Sequence, residues 1–344
     1  MENRPEFIVG IDVSSEYFTC AAGQAKEKWK ISLLPQDFDN KTSGFNKFSQ
    51  WLQKAGIEKE KAVICMEKTG VYNELLVAFL CKQGYRVCVE DPIKVKKAFK
   101  PHGIKSDSVD SKQIAEYGWR FFDQLHYWKP LSETIEKVKT LLSVREDLVK
   151  ANTADKNRLH AFRLKAYRVQ LAEDILESNI AERDKEIKAI EKEIDNLIHQ
   201  LPYLAQIFRN LQTIPRCKLL LAANFLVFFH EFDGEITYKK AAGRLGICPY
   251  EHSSGSSIKK RAKSFGHGTG TIRKLLHLAA CSLCKYDPRY QQYMAEKLAF
   301  GKPKMVIYNN VANKLVKIIV KIYRSNMQYN PNHQSVHPRF LTRS

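Results

Sequence analysis

Nowhere does the chain hold an apolar run near the roughly 18 residues a membrane-spanning helix needs. Its best, Leu219 to Phe229, is broken by Asn224 and stops early. The opening residues, Met1-Glu2-Asn3-Arg4-Pro5, lack the apolar core of a signal peptide, so no membrane partner and a cytoplasmic location are expected. A disulfide framework is missing too: the eight cysteines (20, 65, 81, 88, 217, 248, 281 and 284) are scattered through apolar contexts and read as buried thiols. Cys281 and Cys284 form the one C-x-x-C pair, and without a second pair or an H-x-x-H beside it they read as two small core residues on a helix. Acid is scarce. Against 56 Lys and Arg stand 37 Asp and Glu, a net charge of +19, which calls for a polyanionic partner such as nucleic acid.

Hydrophobic residues make up 44% of the 344, enough to bury a core and too many for wholesale disorder. That length predicts two cores. Residues 7–13, 18–22 and 28–33 read as strands of a meander, followed by a helix over 45–55, a strand over 62–66, a helix over 71–83 and a strand over 86–90. The order belongs to an α/β sheet domain. Pro92 and Pro101 then punctuate the passage to a helical stretch beginning near Asp107. From Ser132 to Gln200 there is neither glycine nor proline, which predicts one long helical connector. Its stripe of Ile180, Ile187, Ile190, Ile194 and Leu197 suits either an amphipathic helix on its own domain or a coiled coil. Shorter helices are expected over 218–229, 238–245, 271–284, 288–299 and 304–323, with a polar Gly/Ser/Lys-rich loop at 249–270. The domain reading is 1–130, a connector 131–204, a mainly helical domain 205–324, and a weakly ordered tail 325–344.

Four acids are the first domain's candidates for chemistry. Asp12 and Glu67 each end a strand, and Asp107 and Asp110 are three apart, which puts both on one face of a helix. Grouped carboxylates are hard oxygen ligands for Mg²⁺ or Mn²⁺, and two such ions can clamp both oxygens of a phosphodiester under attack. Taken singly, each acid is equally a cap or a surface charge.

Three blocks resemble the DEDD, RuvC-like domain of the insertion-sequence-110 transposase family: Gly10-Ile11-Asp12-Val13-Ser14, Met66-Glu67-Lys68-Thr69-Gly70-Val71-Tyr72 and Lys105-Ser106-Asp107-Ser108-Val109-Asp110-Ser111. The resemblance implies an α/β RuvC-like (RNase H-like) first domain in which Asp12, Glu67, Asp107 and Asp110 are the catalytic metal ligands. Farther on, Leu211-Gln212-Thr213-Ile214-Pro215, Ala242-Gly243-Arg244-Leu245-Gly246-Ile247-Cys248-Pro249, Gly301-Lys302-Pro303-Lys304 and Asn313-Lys314-Leu315 resemble the family's C-terminal transposase domain.

In Pro249-Tyr250-Glu251-His252-Ser253-Ser254-Gly255 the serine before the glycine corresponds to the family's DNA-attacking residue, here Ser254. On the residues alone, Ser253 and Ser256 compete with it equally. A serine hydroxyl needs a base, metal or cationic group to attack phosphorus. His252 lies two residues away, and Lys259, Lys260, Arg261 and Lys263 follow. With Lys105 and Arg273, these four cations are the expected nucleic-acid contacts. Two positions depart from the family: Arg216 replaces a usual glycine and Gly266 a usual lysine. The run Gly266-His267-Gly268-Thr269-Gly270 reads as a flexible turn or as a phosphate cradle.

The resemblance implies a transposase that cuts and rejoins donor and target DNA through a phosphoserine, directed by a structured guide RNA and working as a homodimer or tetramer. Two other readings fit the residues: a junction-resolving nuclease that uses metal-bound water, and a non-catalytic nucleic-acid-binding protein.

Overall fold

The computed structural model describes residues 4–25, 29–99, 106–128, 132–232, 235–248, 250–254, 258–263 and 270–332, with backbone alone at 25, 29, 250–254 and 258–263. The chain packs as two compact units, Met1–Pro130 and Leu131–Ser344. The first is a mixed α/β unit and the second is mainly helical.

In chain order the first unit comprises β1 (Phe7–Val13), β2 (Tyr17–Ala25), β3 (Trp29–Asp39), α1 (Thr42–Lys54), β4 (Ala62–Glu67), α2 (Glu74–Lys82), β5 (Arg86–Glu90), α3 (Pro92–Lys97) and α4 (Asp107–Arg120). The sheet order is β3-β2-β1-β4-β5. The first three strands follow one another closely in sequence and pair antiparallel, whereas the helical crossovers return β4 and β5 parallel to β1. Side chains alternate across the pleat. Val9, Ile11, Val13, Ile64 and Met66 face a core built with Phe18, Phe48, Leu52, Leu76 and Leu80. Ile8, Val63, Cys65 and Cys88 face the opposite side, beside Val95, Ile114 and Ala115 of α3 and α4. Because helices cover both faces, β1 and β4 read as unbroken apolar runs. The sequence reading missed α3: Pro92 does not break structure there but opens a helix, capped by the Asp91 carboxylate, which accepts the Ile93 amide at 2.8 Å.

The second unit begins with α5 (Glu133–Arg163) and α6 (Gln170–His199), followed by α7 (Pro202–Gln212), α8 (Leu219–His230) and α9 (Tyr238–Arg244). After these come β6 (Tyr250–Ser254), β7 (Ile258–Lys263), α10 (Gly270–Tyr286), α11 (Pro288–Ala299) and α12 (Lys304–Ser325). The expected single helical sweep is thus two helices. Arg145 with Glu191, Asn152 with Asp184 and Arg183 with Asp155 pair across them in antiparallel order. The turn needs no glycine or proline because ion pairs hold it: the Arg168 guanidinium and Arg163 close on Glu173, a carboxylate buried to 1% exposure. Arg168 also holds the Glu173 carboxyl below the usual range. The stripe on α6 therefore meets the chain's own α5, and Ile194 and Leu197 enter the helical core. That core surrounds α8, which is apolar on every side and buried from Leu221 to Phe229 except at Asn224, as a central helix should be.

Three further differences have local causes. Helix α7 was not expected, though Pro202 at its first position is a helix-start signal. The predicted polar loop at 249–270 contains an antiparallel ribbon, β6 with β7, whose charged sequence hides its strand character. The tail, expected to be weakly ordered from 325, is tied down as far as 331. The Asn210 amide donates to the Asn326 carbonyl at 2.7 Å, the Tyr329 amide donates to Thr213 Oγ1 at 2.9 Å, and Arg289 donates to the Pro331 carbonyl. Among the described residues no helix is long and apolar enough to cross a membrane.

Arg216, the residue that departs from the family's glycine, sits in the left-handed region with φ of 65°. Its guanidinium lies 5.3 Å from the Tyr286 ring centroid. A non-glycine residue in that region costs about 1–2 kcal/mol, and an exposed cation–π contact returns about 0.5–1 kcal/mol. Arg216→Gly relieves the strain but loses the ring, whereas Arg216→Ala keeps the strain and loses the ring as well. In urea unfolding, Arg216→Ala is therefore expected to be the less stable of the two by about 1 kcal/mol; equal midpoints would remove strain from the account.

Candidate active site

Strand register brings acids to one edge. Ile11 of β1 pairs with Met66 of β4, so Asp12 and Glu67 follow side by side at the ends of neighbouring parallel strands. The pleat turns both toward the face covered by α4, opposite Ile11 and Met66. Along the same lateral row Asp12 pairs with Thr19, Thr19 with Asp37, and Glu67 with Glu90. Carboxylates thus sit at this level on four of the five strands. Two flanking members have partners of their own: Thr19 donates to Asp37 at 2.6 Å, and Lys94 holds Glu90, itself 5% exposed, at 3.0 Å. Neither Asp37 nor Glu90 was singled out from the sequence. A strand-terminal acid was a signal for Glu90, while Asp37 becomes visible only through cross-strand register.

Helix α4 brings the remaining two acids. Asp107 and Asp110 occupy its first turn, where the helix dipole favours negative charge. Gly10 lets the helix sit directly on the sheet. A Cβ at Gly10 would stand 2.2 Å from the Ser111 carbonyl oxygen and 2.3 Å from the Ala115 amide nitrogen. Gly118 does the same farther along, against Cys65 and Ile8. Since the obstacles at Gly10 are backbone, Gly10→Ala must push α4 away, at a cost of about 3 kcal/mol, the upper end for overpacking. The expected result is a lower thermal midpoint, and an unchanged midpoint would mean that α4 does not pack this closely.

One side chain senses the cluster. The Tyr17 phenol donates to Asp107 Oδ2 at 2.8 Å. Its proton is held more tightly than usual, first by that hydrogen bond and by the Asp107 charge, then by slight burial and by the charges of Asp37 and Asp12. The Asp12 and Asp107 carboxylates therefore act on one phenol, although they come from opposite ends of the domain's sequence. Among the described residues, no three His, Cys, Asp or Glu side chains stand close enough to hold a metal ion. The fold sets Asp12 beside Glu67 at the sheet edge and Asp107 and Asp110 in the first turn of α4, and their oxygens are the donors a hard cation takes.

In the second unit, Ser254 is the last residue of β6 and pairs with Ile258, while Ser253 pairs with Lys259. Lys259, Lys260, Arg261 and Lys263 lie on β7, so serines and cations share one ribbon. Its entry is anchored by α12, a feature the sequence reading did not assign. The Asn309 and Asn313 amides both donate to the Ile247 carbonyl, at 3.2 and 3.3 Å, two residues before the ribbon's leading proline, Pro249. Arg273 is half-buried near the start of α10. Lys105, Ser256, Gly266 and the glycine run through Thr269 lie outside the described residues.

An acid-edged mixed sheet, a ribbon rich in Lys and Arg and a net charge of +19 suit a protein whose partner is a polyanion. The family is then given by comparison. Residues 9–168 match a model described as "Transposase", for the DEDD domain of the IS110 group, and residues 208–295 match "Transposase IS116/IS110/IS902 family". The chain belongs to the IS110 transposase family, whose members are DNA-modifying transposases and recombinases. It is similar to the pilin gene-inverting proteins of Moraxella bovis and Moraxella lacunata, each 26% identical over 325 residues that cover 93% of this chain and 97% of the relative. Among solved structures it is similar to Thermus thermophilus RuvC, alone and in complex with a Holliday junction substrate. Each match has 12% identity and a TM-score of 0.28, covering 36% of this chain and 99% of that one.

Proposed function

We propose that the protein is a metal-dependent DNA recombinase in which Asp12, Glu67, Asp107 and Asp110 hold Mg²⁺ or Mn²⁺ and Ser254 is the nucleophile. The observation that carries this reading is the Ile11–Met66 register, which sets Asp12 and Glu67 side by side under the helix that begins with Asp107 and Asp110. When bound, the cation would supply charge to stabilise the pentavalent phosphorus and lower the cost of the leaving oxygen. The chain's own part is to attack and to hold. Ser254 Oγ forms a bond to phosphorus as the bond to one strand end breaks; the serine proton is taken up by a base, and the strand end leaves as a hydroxyl. Rejoining reverses the step with a different strand end, so the phosphoester energy is kept and no nucleotide is consumed. Lys259, Lys260, Arg261, Lys263, Arg273 and Lys105 grip phosphates, and His252 is the ribbon's candidate base.

Inverting a DNA segment requires strands to be cut and rejoined, so the likeness to gene-inverting proteins along nearly the whole chain supports recombination over simple hydrolysis. The strong positive charge suits a structured guide RNA as well as DNA, because phosphate contacts carry no sequence information. A homodimer or tetramer, acting in the cytoplasm with residues 205–324 as the serine-bearing domain, completes the proposal. The test is covalent trapping: with Mg²⁺, DNA flanking the chain's own gene and RNA transcribed from that flank, denaturation should leave one strand on the protein. Mg²⁺-dependent cutting with free ends alone would replace this reading with a hydrolytic nuclease.

A further inference from the structure

Asp107 is the first residue of α4, and a side chain of the sheet reaches its carboxylate. The contact is Tyr17, at the start of β2. The turn that carries it is rigid: the Ser14 amide donates to the Tyr17 carbonyl at 2.9 Å, Ser14 Oγ donates to the same carbonyl at 2.6 Å, and the Tyr17 amide donates to Ser14 Oγ at 3.3 Å. The Asn40 amide group, from the chain just beyond β3, holds the Ser14 carbonyl at 2.8 Å. This turn directly follows the end of β1 that bears Asp12. The phenol therefore spans from a fixed hairpin beside Asp12 to the first residue of α4. Tyr17 is 41% exposed, so its hydroxyl is not needed to fill a core.

We propose that Tyr17 is a positioning residue of the acid site, whose hydroxyl fixes the Asp107 carboxylate through Oδ2 so that its other oxygen can serve a divalent cation. This rests on the metal reading above. A ligating carboxylate held by an outer hydrogen bond keeps its orientation when the cation is absent, and removing such a partner typically weakens metal affinity by roughly 10–100-fold. Tyr17→Phe deletes only the oxygen and keeps the ring.

The experiment is a Mn²⁺ titration of the full chain, followed by electron paramagnetic resonance of free Mn²⁺, on the parent, Tyr17→Phe and Asp12→Asn. Metal-free thermal unfolding is run alongside. Tyr17→Phe is expected to melt as the parent does yet bind Mn²⁺ at least about tenfold more weakly, and its DNA cleavage should regain the parent's maximal rate at saturating Mn²⁺. If the parent binds no Mn²⁺, or Asp12→Asn binds as the parent does, the metal reading itself fails. If the parent binds and Asp12→Asn does not, but Tyr17→Phe binds like the parent, only the role of Tyr17 falls. A cleavage rate that stays low at saturating Mn²⁺ would equally overturn it, since the defect would then not lie in holding a ligand.

Discussion

Asp12→Asn is expected to abolish Mg²⁺-dependent strand cleavage in a protein that melts no lower than its parent. The substitution is isosteric, so the neighbouring packing on Gly10 and Ser111 is kept. What changes is charge. Asp12 shares its lateral row with Glu67 and Asp37 and acts electrostatically on the phenol that binds Asp107, so in the metal-free protein its charge adds to repulsion among like groups. Neutralising it relieves that repulsion while removing a ligand, so stability and activity move in opposite directions. Loss of an outer-shell partner costs roughly 10–100-fold, and a direct ligand should cost more; cleavage should fall to background. Glu90→Gln serves as a comparison at the same level of the sheet: Glu90 is paired with Lys94, and its neutralisation frees a lysine that is 60% exposed. Normal cleavage by Asp12→Asn with Mg²⁺, measured beside its melting curve, would falsify the metal assignment.

The parts of this site that the sequence revealed are those set by local rules. Asp107 and Asp110 share a helix face because of their spacing, and Asp12 and Glu67 end apolar runs long enough to be buried strands. Gly10 belongs to the block around Asp12, but only the packing of α4 onto it explains the residue. Other features depend on pairing at a distance. Asp37 joins the row through two cross-strand registers, and Tyr17 reaches Asp107 across 90 residues of chain. Register is fixed by which faces are buried and by the hairpin connections, so the pattern within any one strand does not reveal it. The α5–α6 turn was hidden for a related reason: Glu173 and two arginines do the work usually signalled by glycine or proline. The β6–β7 ribbon was hidden because Ile258-Lys259-Lys260-Arg261-Ala262-Lys263 lacks the alternation of a half-buried strand. On this ribbon, charge displaces the hydrophobic pattern from which secondary structure is read.

Ser254→Ala is expected to lose the covalent protein–DNA adduct completely while retaining nucleic-acid binding. If Ser254 attacks phosphorus, a stalled reaction leaves one strand joined to the protein by a phosphoserine bond that survives denaturation, and peptide mapping should place it within residues 249–263. In the proposed function binding rests on other groups, the four cations on β7, Arg273 and a net charge of +19, none of which depends on one hydroxyl. The acids of the first unit are untouched as well, so Mn²⁺ affinity should be unchanged, and this separates the variant from Asp12→Asn. Ser253→Ala is the control. It changes the same residue type one position away on the same strand, where the backbone pairs with Lys259 instead of Ile258. A merely structural effect on the ribbon would appear in both variants; a nucleophile would appear in one. Persistent cleavage with free ends in Ser254→Ala would make metal-bound water the attacking group, and an adduct that vanished only in Ser253→Ala would keep the recombinase and move its nucleophile by one residue.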